Sequence, residues 1–234
     1  MSQPTKQEVK KWYNTHHHSF GKDSWRPPEA YHPFLNFIDI QPAQKMLDIG
    51  CGTGYLLKEA SQRGLETFGI DISEEAVKIS RHQSSLSVIK VGRAEALPFK
   101  DDTFDHIFCL GSLEHFLDIK KALNEMKRVA RQGATFCIMV PNYNYLYWKF
   151  KPTRGTEQQE INEHLLSLDE WTKIFEDQGF KIQDIYKDQW PLYKAPASSS
   201  QNSLKWLKAI LRKIVWRFLP LRYTYQFIFI MRFK

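Results

Sequence analysis

The chain has little cysteine. Its three cysteines, Cys51, Cys109 and Cys137, lie far apart in 234 residues and form no C-x-x-C pair. That excludes a disulfide framework or a cysteine zinc site as the organising device and fits a reducing compartment. Long apolar runs are also missing; no stretch approaches the ~20 residues that would span a bilayer. The opening residues, Met-Ser-Gln-Pro-Thr-Lys-Gln-Glu, have no apolar core and do not read as a signal peptide. The expected location is cytoplasmic. Internal repeats are absent. Acid is absent from one region only: Trp190 to Lys234 holds nine of the 33 basic residues and no Asp or Glu, leaving 24 basic against 26 acidic elsewhere. The net charge of +7 therefore belongs to the C-terminal part and is a clue to a partner.

What is present centres on Met46 to Tyr55, Met-Leu-Asp-Ile-Gly-Cys-Gly-Thr-Gly-Tyr. An apolar run ends in an acid, three glycines alternate, and Leu56 to Ala60 begins a helix. Glycine permits positive φ and close approach of a ligand to the backbone, while the helix start offers unpaired N–H groups. The dinucleotide fingerprint G-x-G-x-x-G requires a third glycine where Tyr55 stands. The spacing here is G-x-G-x-G, at Gly50, Gly52 and Gly54, preceded by Asp48.

Strand and helix signals alternate from there. Thr67–Asp71 reads as a second strand ending in an acid, and Ser73 as the N-cap of a following helix. Further strands are expected at Ser87–Val91, His106–Leu110, Thr135–Val140, Phe180–Tyr186 and Tyr223–Phe233. Helices are expected at Tyr55–Arg63, Ile119–Arg131 and Leu168–Gln178. This order predicts an α/β fold: a doubly wound, seven-stranded, mostly parallel sheet with helices on both faces. Ligands of such sheets bind at the carboxyl ends of the strands. The glycine turn, Asp71, Arg93–Glu95 and Gly111–His115 all fall there. Before the first strand, Trp12, Tyr13, Phe20, Trp25, Tyr31, Phe34 and Phe37 make an aromatic-rich segment, read either as a lid over a pocket or as cover for the core edge. His16-His17-His18 does not read as a metal site, since neighbours on a regular element point apart, and no metal is expected. Pro191–Asn202 reads as a loop.

Asp48-Ile49-Gly50-Cys51-Gly52-Thr53-Gly54 resembles motif I of the class I S-adenosylmethionine-dependent methyltransferases. Gly92 to Phe99, followed by Phe104-Asp105, is similar to the family's "GDAExLPF…FD" segment. Ser112-Leu113-Glu114-His115-Phe116 is similar to the "LEH" segment of the ubiquinone and menaquinone biosynthesis methyltransferases. Arg128 to Gly133 looks like "RVLKPGG", with Gln132 where proline is common. His164 to Ser167 and Gln178-Gly179-Phe180 resemble the "H…L/S…aGF" stretch. The resemblance covers residues 43 to 186.

The resemblance implies a Rossmann-like methyltransferase domain with S-adenosyl-L-methionine as cofactor; the domain is expected over 43–234, after an N-terminal helical cap read in residues 1–42. The resemblance places Asp48, Gly50, Cys51, Gly52 and Gly54 around the amino-acid part, Asp71 with Ile72 at the ribose, Arg93, Ala94 and Glu95 at the adenine, and Ser112 near the sulfonium. Arg93 has no acceptor, so the adenine amino group would use a backbone carbonyl or Glu95. The implied reaction is methyl transfer to a small-molecule or lipid-linked acceptor, at oxygen or carbon. His115 and His164 are candidate general bases, and Glu114 could orient His115 or an acceptor hydroxyl. A catalytically inactive binding or scaffold protein and, with Tyr55 against it, a NAD-dependent oxidoreductase stand as alternatives. Gly111-Ser112-Leu113-Glu114 stands where an N-P-P-Y-type motif would indicate nucleic acid, so nucleic acid is not the expected acceptor.

Ser203 to Leu219 predicts a basic amphipathic helix, inserted between the sixth and seventh strands. Leu204, Leu207, Leu211, Ile214, Val215 and Phe218 share one face, and Lys205, Lys208, Arg212, Lys213 and Arg217 surround it. Trp206 and Trp216 suit a membrane interface. This helix could lie on an anionic membrane, at the inner face, or cover the pocket or a subunit interface. Oligomeric state is not legible.

Overall fold

A computed structural model describes residues 3–21, 26–150, 155, 158, 161–189 and 203–233, without the side chains of 203–209 and 212. Trp25, the expected loop Pro191–Asn202, and the side chains of Leu204, Lys205, Trp206, Leu207, Lys208 and Arg212 lie outside the described residues.

The chain runs α1 (Lys6–Phe20), β1 (Lys45–Ile49), α2 (Tyr55–Gln62), β2 (Glu66–Asp71), α3 (Glu74–Gln83), β3 (Val88–Val91) and β4 (Phe104–Leu110). It continues with α4 (Ile119–Val129), β5 (Ala130–Pro141), α5 (Leu168–Asp177), β6 (Phe180–Lys187), α6 (Ser203–Phe218) and β7 (Gln226–Phe233). One seven-stranded sheet has the order β3-β2-β1-β4-β5-β7-β6. Only β7 runs antiparallel to its neighbours, β5 and β6. The direction of winding reverses between β1 and β4, and a crevice opens there at the strand carboxyl ends.

Both faces of the sheet are buried, so the central strands read as nearly continuous apolar runs. Along β4, Ile107 and Cys109 face one core and Phe108 the other. On β7, Phe227, Phe229 and Met231 alternate with Ile228 and Ile230 in the same way. Leu123 and Met126 of α4 and Trp171 and Phe175 of α5 cover the first face. Leu56, Leu57 and Ala60 of α2, Val77 of α3, and Phe34 and Leu35 cover the second. Helix starts are fixed by side-chain caps: Ser73 accepts from the Ala76 N–H at 3.1 Å, Asp118 from that of Lys121 at 2.9 Å, and Ser167 forms a capping box with Glu170.

Most element ends fall within a residue or two of the expectation, β4 beginning at Phe104 rather than His106; two boundaries differ for a structural reason. α4 stops at Val129, and β5 begins at Ala130 rather than Thr135. Ala130 pairs with Phe104, a register shift follows, and Gly133 takes φ 81° inside the strand rather than closing a turn before it. The Arg131 guanidinium reaches both carboxylate oxygens of Asp105, at 2.8 and 3.0 Å, across that bulge. β7 begins at Gln226 rather than Tyr223, because Leu221–Tyr223 forms a 3₁₀ turn after Pro220.

Candidate active site

The end of β1 turns sharply through Gly50 (φ 73°), Gly52 (φ 49°) and Gly54 (φ 82°). Each has a different reason to lack a side chain. A Cβ on Gly50 would stand 2.2 Å from Ser112 Oγ, and one on Gly54 2.2 Å from Ser80 Oγ and 3.0 Å from the Ser80 Cα. A Cβ on Gly52 would meet nothing within 4 Å. Gly52 therefore presents bare backbone to an open cavity, which it lines. The turn is tied to β2 by the Gly50 and Cys51 N–H groups, which donate to the Ile70 carbonyl at 2.8 and 3.1 Å. Asp71 completes the tie. Its two carboxylate oxygens accept from the Gly52 and Ser73 N–H groups, each at 2.9 Å. Burial raises the Asp71 carboxyl against the lowering effect of these bonds. A carboxylate has about four acceptor positions, so Asp71 keeps capacity for a ligand.

One cavity is lined by Asp48, Gly50, Cys51, Gly52, Asp71, Ile72, Arg93, Ala94, Glu95, Ser112, Glu114 and His115. These residues come from the ends of β1, β2, β3 and β4, so segments spread over the sequence share one space. Gly54 and His164 are not in that lining. Gly54 is the left-handed N-cap of α2, packed against α3, and His164 meets Glu114 through its backbone N–H at 2.8 Å. Asp48 is buried beside Asp71, and burial first, then that neighbouring charge, pushes its carboxyl up to about 8.

Glu114 and His115 sit in a short 3₁₀ turn after β4 and are both buried. The Asn162 carbonyl can only accept, so His115 Nδ1 carries the proton and donates to it. His115 Nε2 is then the bare lone pair, 3.7 Å from Glu114 Oε1. Among the described residues, neither His115 Nε2 nor Glu114 Oε2 has a hydrogen-bond partner. Burial pushes Glu114 up to about 8, with the Glu163 charge adding to it and Arg26 opposing. Burial pushes His115 down to about 4, against its bond to Asn162. Both groups are neutral near pH 7, so their contact is not an ion pair.

The rest of the wall comes from far away in sequence. Val9, Tyr13 and His17 of α1, with Arg26 and Tyr31, close one side; Met139, Glu163, Tyr225 and Gln226 close another. Burial pushes His17 down to about 4. α1 is pinned over the crevice where Asn14 accepts from the Ser73 hydroxyl at 2.8 Å and Lys10 pairs with Glu74 at 2.7 Å. Arg26 pairs with Asp188 at 2.8 Å in a site where both side chains are largely buried, and it also donates to Gln226. No local motif marks these residues. Among the described residues no group of His, Cys, Asp and Glu could hold a metal, and no helix is long and apolar enough to cross a membrane.

A doubly wound sheet with a glycine cradle, a buried acid after β2 and one crevice at its switch point defines a Rossmann-like nucleotide-type binding fold. Residues 47–138 match the methyltransferase-domain family. The chain is 30% identical over 174 residues to the uncharacterized methyltransferase YcgJ of Bacillus subtilis, matching 68% of this chain and 65% of that one. It is 28% identical over 182 residues to a demethylmenaquinone methyltransferase of Shouchella clausii, matching 70% and 74%. A Haloferax volcanii protein solved in complex with the Trm112 methyltransferase activator shares the fold at a TM-score of 0.65 and 19% identity, over 99% of each chain. Residues 47–138 thus carry the methyltransferase domain, and the matches are to class I S-adenosylmethionine-dependent methyltransferases, which makes S-adenosylmethionine the cofactor indicated. The chain spans just under two thirds of the length of the Bacillus relative. The cradle fits that cofactor: the floor at Gly52 is open, and a buried carboxylate stands beside it.

Proposed function

We propose that this protein transfers a methyl group to oxygen or to an acidic carbon of a small, flat, conjugated acceptor. The observation that carries this reading is that the glycine cradle with Asp71 and the unpartnered Glu114 carboxyl face one cavity. Asp48, Gly50, Cys51 and Gly52 would hold the amino-acid part of the cofactor, Asp71 with Ile72 the ribose, and Arg93, Ala94 and Glu95 the adenine. Ser112 would stand near the sulfonium. When bound, S-adenosylmethionine supplies an already activated methyl group. The protein then has to align an acceptor atom and take its proton.

Glu114 suits the second task better than His115, because a base works best with a pKa near the working pH. The Glu114 carboxyl lies at about 8 and that of the His115 imidazole at about 4. His115 then positions Glu114 and the acceptor rather than removing the proton. Tyr13, Tyr31, Met139 and Tyr225 offer ring and thioether faces for a planar acceptor. The name of the Shouchella relative, a quinone-precursor methyltransferase, supports such a ring.

Calorimetry with S-adenosylmethionine, followed by labelled methyl transfer to fractionated metabolites and lipids, tests the reading. Binding of NAD without binding of any S-adenosyl ligand would overturn it. Asp71→Ala is expected to weaken cofactor binding by about 1–3 kcal/mol, as for loss of hydrogen bonds to a charged group. Part of that loss is indirect, since the Gly52 N–H loses the acceptor that fixes the turn. Unchanged affinity in Asp71→Ala would remove this residue from the binding site.

A further inference from the structure

We propose that α6, together with the turn at residues 146–150, is a docking surface for an anionic lipid bilayer. A surface helix normally turns its i, i+3, i+4, i+7 apolar stripe toward the core. Over its described side chains, α6 does the reverse. Leu211, Ile214, Val215 and Phe218 stand at that spacing and are all exposed, Phe218 by 77%. The opposite side of the helix is the one fastened to the domain. The Trp216 indole N–H donates to the Asp188 carbonyl at 3.0 Å. The Lys187 ammonium caps the helix end, donating to the carbonyls of Trp216, Arg217 and Leu219 at 3.1, 3.0 and 2.8 Å. It also lies 5.2 Å from the centre of the Trp216 ring. The outward stripe is therefore a consequence of specific anchoring, not of a helix lacking contacts.

A second apolar group stands beside the end of this helix. Leu146, Tyr147 and Phe150 are exposed, Phe150 by 79%. Their turn is held against the segment that follows α6: the Asn142 side-chain amide donates to the carbonyls of Arg222 and Thr224 at 2.9 and 2.7 Å, and the Lys149 ammonium lies 5.8 Å from the Tyr223 ring centre. Charge selects the occupant. Lys149, Lys213 and Arg217 are exposed on these two elements, and neither 141–150 nor 190–234 contains an acid. A face of apolar and aromatic side chains whose two elements carry cations and no acid matches the interface of an anionic membrane. A face with no acid offers nothing to the cations of a second copy of itself.

The surface adjoins the active-site cavity. Tyr225 lines that cavity, and its ring lies 5.1 Å from that of Tyr145 at the base of the exposed turn. Docking would bring the cavity wall to the headgroup layer, from which an acceptor could be drawn. Only this last consequence rests on the proposed function; the docking does not.

The test is flotation of the full chain with vesicles of phosphatidylcholine and phosphatidylglycerol, and with phosphatidylcholine alone. The protein is expected to float with the anionic vesicles at low salt, to release at high salt, and to ignore the neutral ones. Ile214→Glu with Phe218→Glu should lower the bound fraction roughly tenfold or more, through lost apolar insertion and like-charge repulsion. The affinity of that variant for S-adenosylhomocysteine should stay unchanged, which shows that it folds. No flotation at low salt overturns the proposal, as does equal flotation of parent and variant. A parent dimer that the variant dissociates, with no vesicle binding, also overturns it and assigns the stripe to a second copy. Loss of cofactor binding in the parent would instead sink the functional reading and leave the flotation result standing.

Discussion

Gly54→Ala is expected to cost about 3 kcal/mol or more in stability, and cofactor binding should fall with it. Gly54 takes φ 82° as the N-cap of α2. An L-residue in that left-handed conformation costs roughly 1–2 kcal/mol. The added methyl would also stand 3.0 Å from the Cα of Ser80, a backbone atom of α3 that cannot rotate away. Forcing a methylene into a packed contact adds about 1–3 kcal/mol. Relief requires α2 and α3 to separate, and the turn that carries Gly50 and Gly52 would move with them. Gly52→Ala provides the contrast. Its Cβ meets no atom, so it keeps only the conformational penalty, yet it projects into the cavity and should weaken the cofactor strongly. Thermal denaturation and calorimetry on the two variants separate the cases. Equal melting temperatures for Gly54→Ala and the parent would show that the α2–α3 contact is looser than described.

Glu114→Gln is expected to lower the methyl-transfer rate by about 10²–10⁴-fold, the usual range for loss of a general base. Cofactor affinity should change little. A base must be deprotonated, so the parent rate should climb with pH through about 8, where burial has placed the carboxyl. The variant should lose that limb of the profile. His115→Ala should lower the rate less and leave the limb in place. A parent profile flat between about pH 6 and 9, the span over which a raised carboxyl would titrate, would remove Glu114 as the base.

The same carboxyl affects stability with a definite sign. Its folded pKa lies above the ordinary value of 4.5, so the fold holds the proton more tightly than the unfolded chain does. Stability is favoured below about 4.5 and lost as the pH rises toward 8. Asp48, raised from 3.8 to about 8, acts in the same direction. Glu114→Gln should therefore be relatively more stable than the parent at alkaline pH.

The parts of the fold that were legible are those where local pattern and tertiary role coincide. Thr67–Asp71 and Phe180–Tyr186 were readable as strands to within a residue, the first from a short β-prone run closed by an acid, the second from Phe180, Ile182 and Ile185 turned to the core among polar residues, the pattern of a half-exposed edge strand. The start of β5 was not. Gln132-Gly133 carries turn chemistry, and what makes it strand is the pairing of Ala130 with Phe104, a contact between distant residues. The glycine turn and Asp71 were readable from spacing, but the Asp71 contacts were not. The carboxylate is expected at a ribose; what the fold reveals is that it fastens the Gly52 and Ser73 N–H groups. The balance between Glu114 and His115 was hidden for a similar reason. Burial sets it, and burial cannot be read from Ser112-Leu113-Glu114-His115-Phe116. Arg26, Tyr225 and Gln226 have no sequence signal, since only the folded sheet brings residues 26, 188 and 226 together.

That convergence bears on inheritance. The stretch shared with the family, residues 47–138, contains the glycine cradle, Asp71 and Glu114. The Arg26–Asp188–Gln226 cluster and the rings of Tyr13, Tyr31 and Tyr225 lie outside it. On the proposed reading, the reaction is encoded in the family-matching middle of the chain and the choice of acceptor in the segments on either side of it. Descendants could exchange one acceptor for another by drift at the chain ends while the methyl-donating half stays fixed. Breaking the Arg26–Asp188 pair one residue at a time would be a costly route, because removing one member of a buried ion pair destabilises by about 3–5 kcal/mol. Arg26 and Asp188 should therefore change together or not at all.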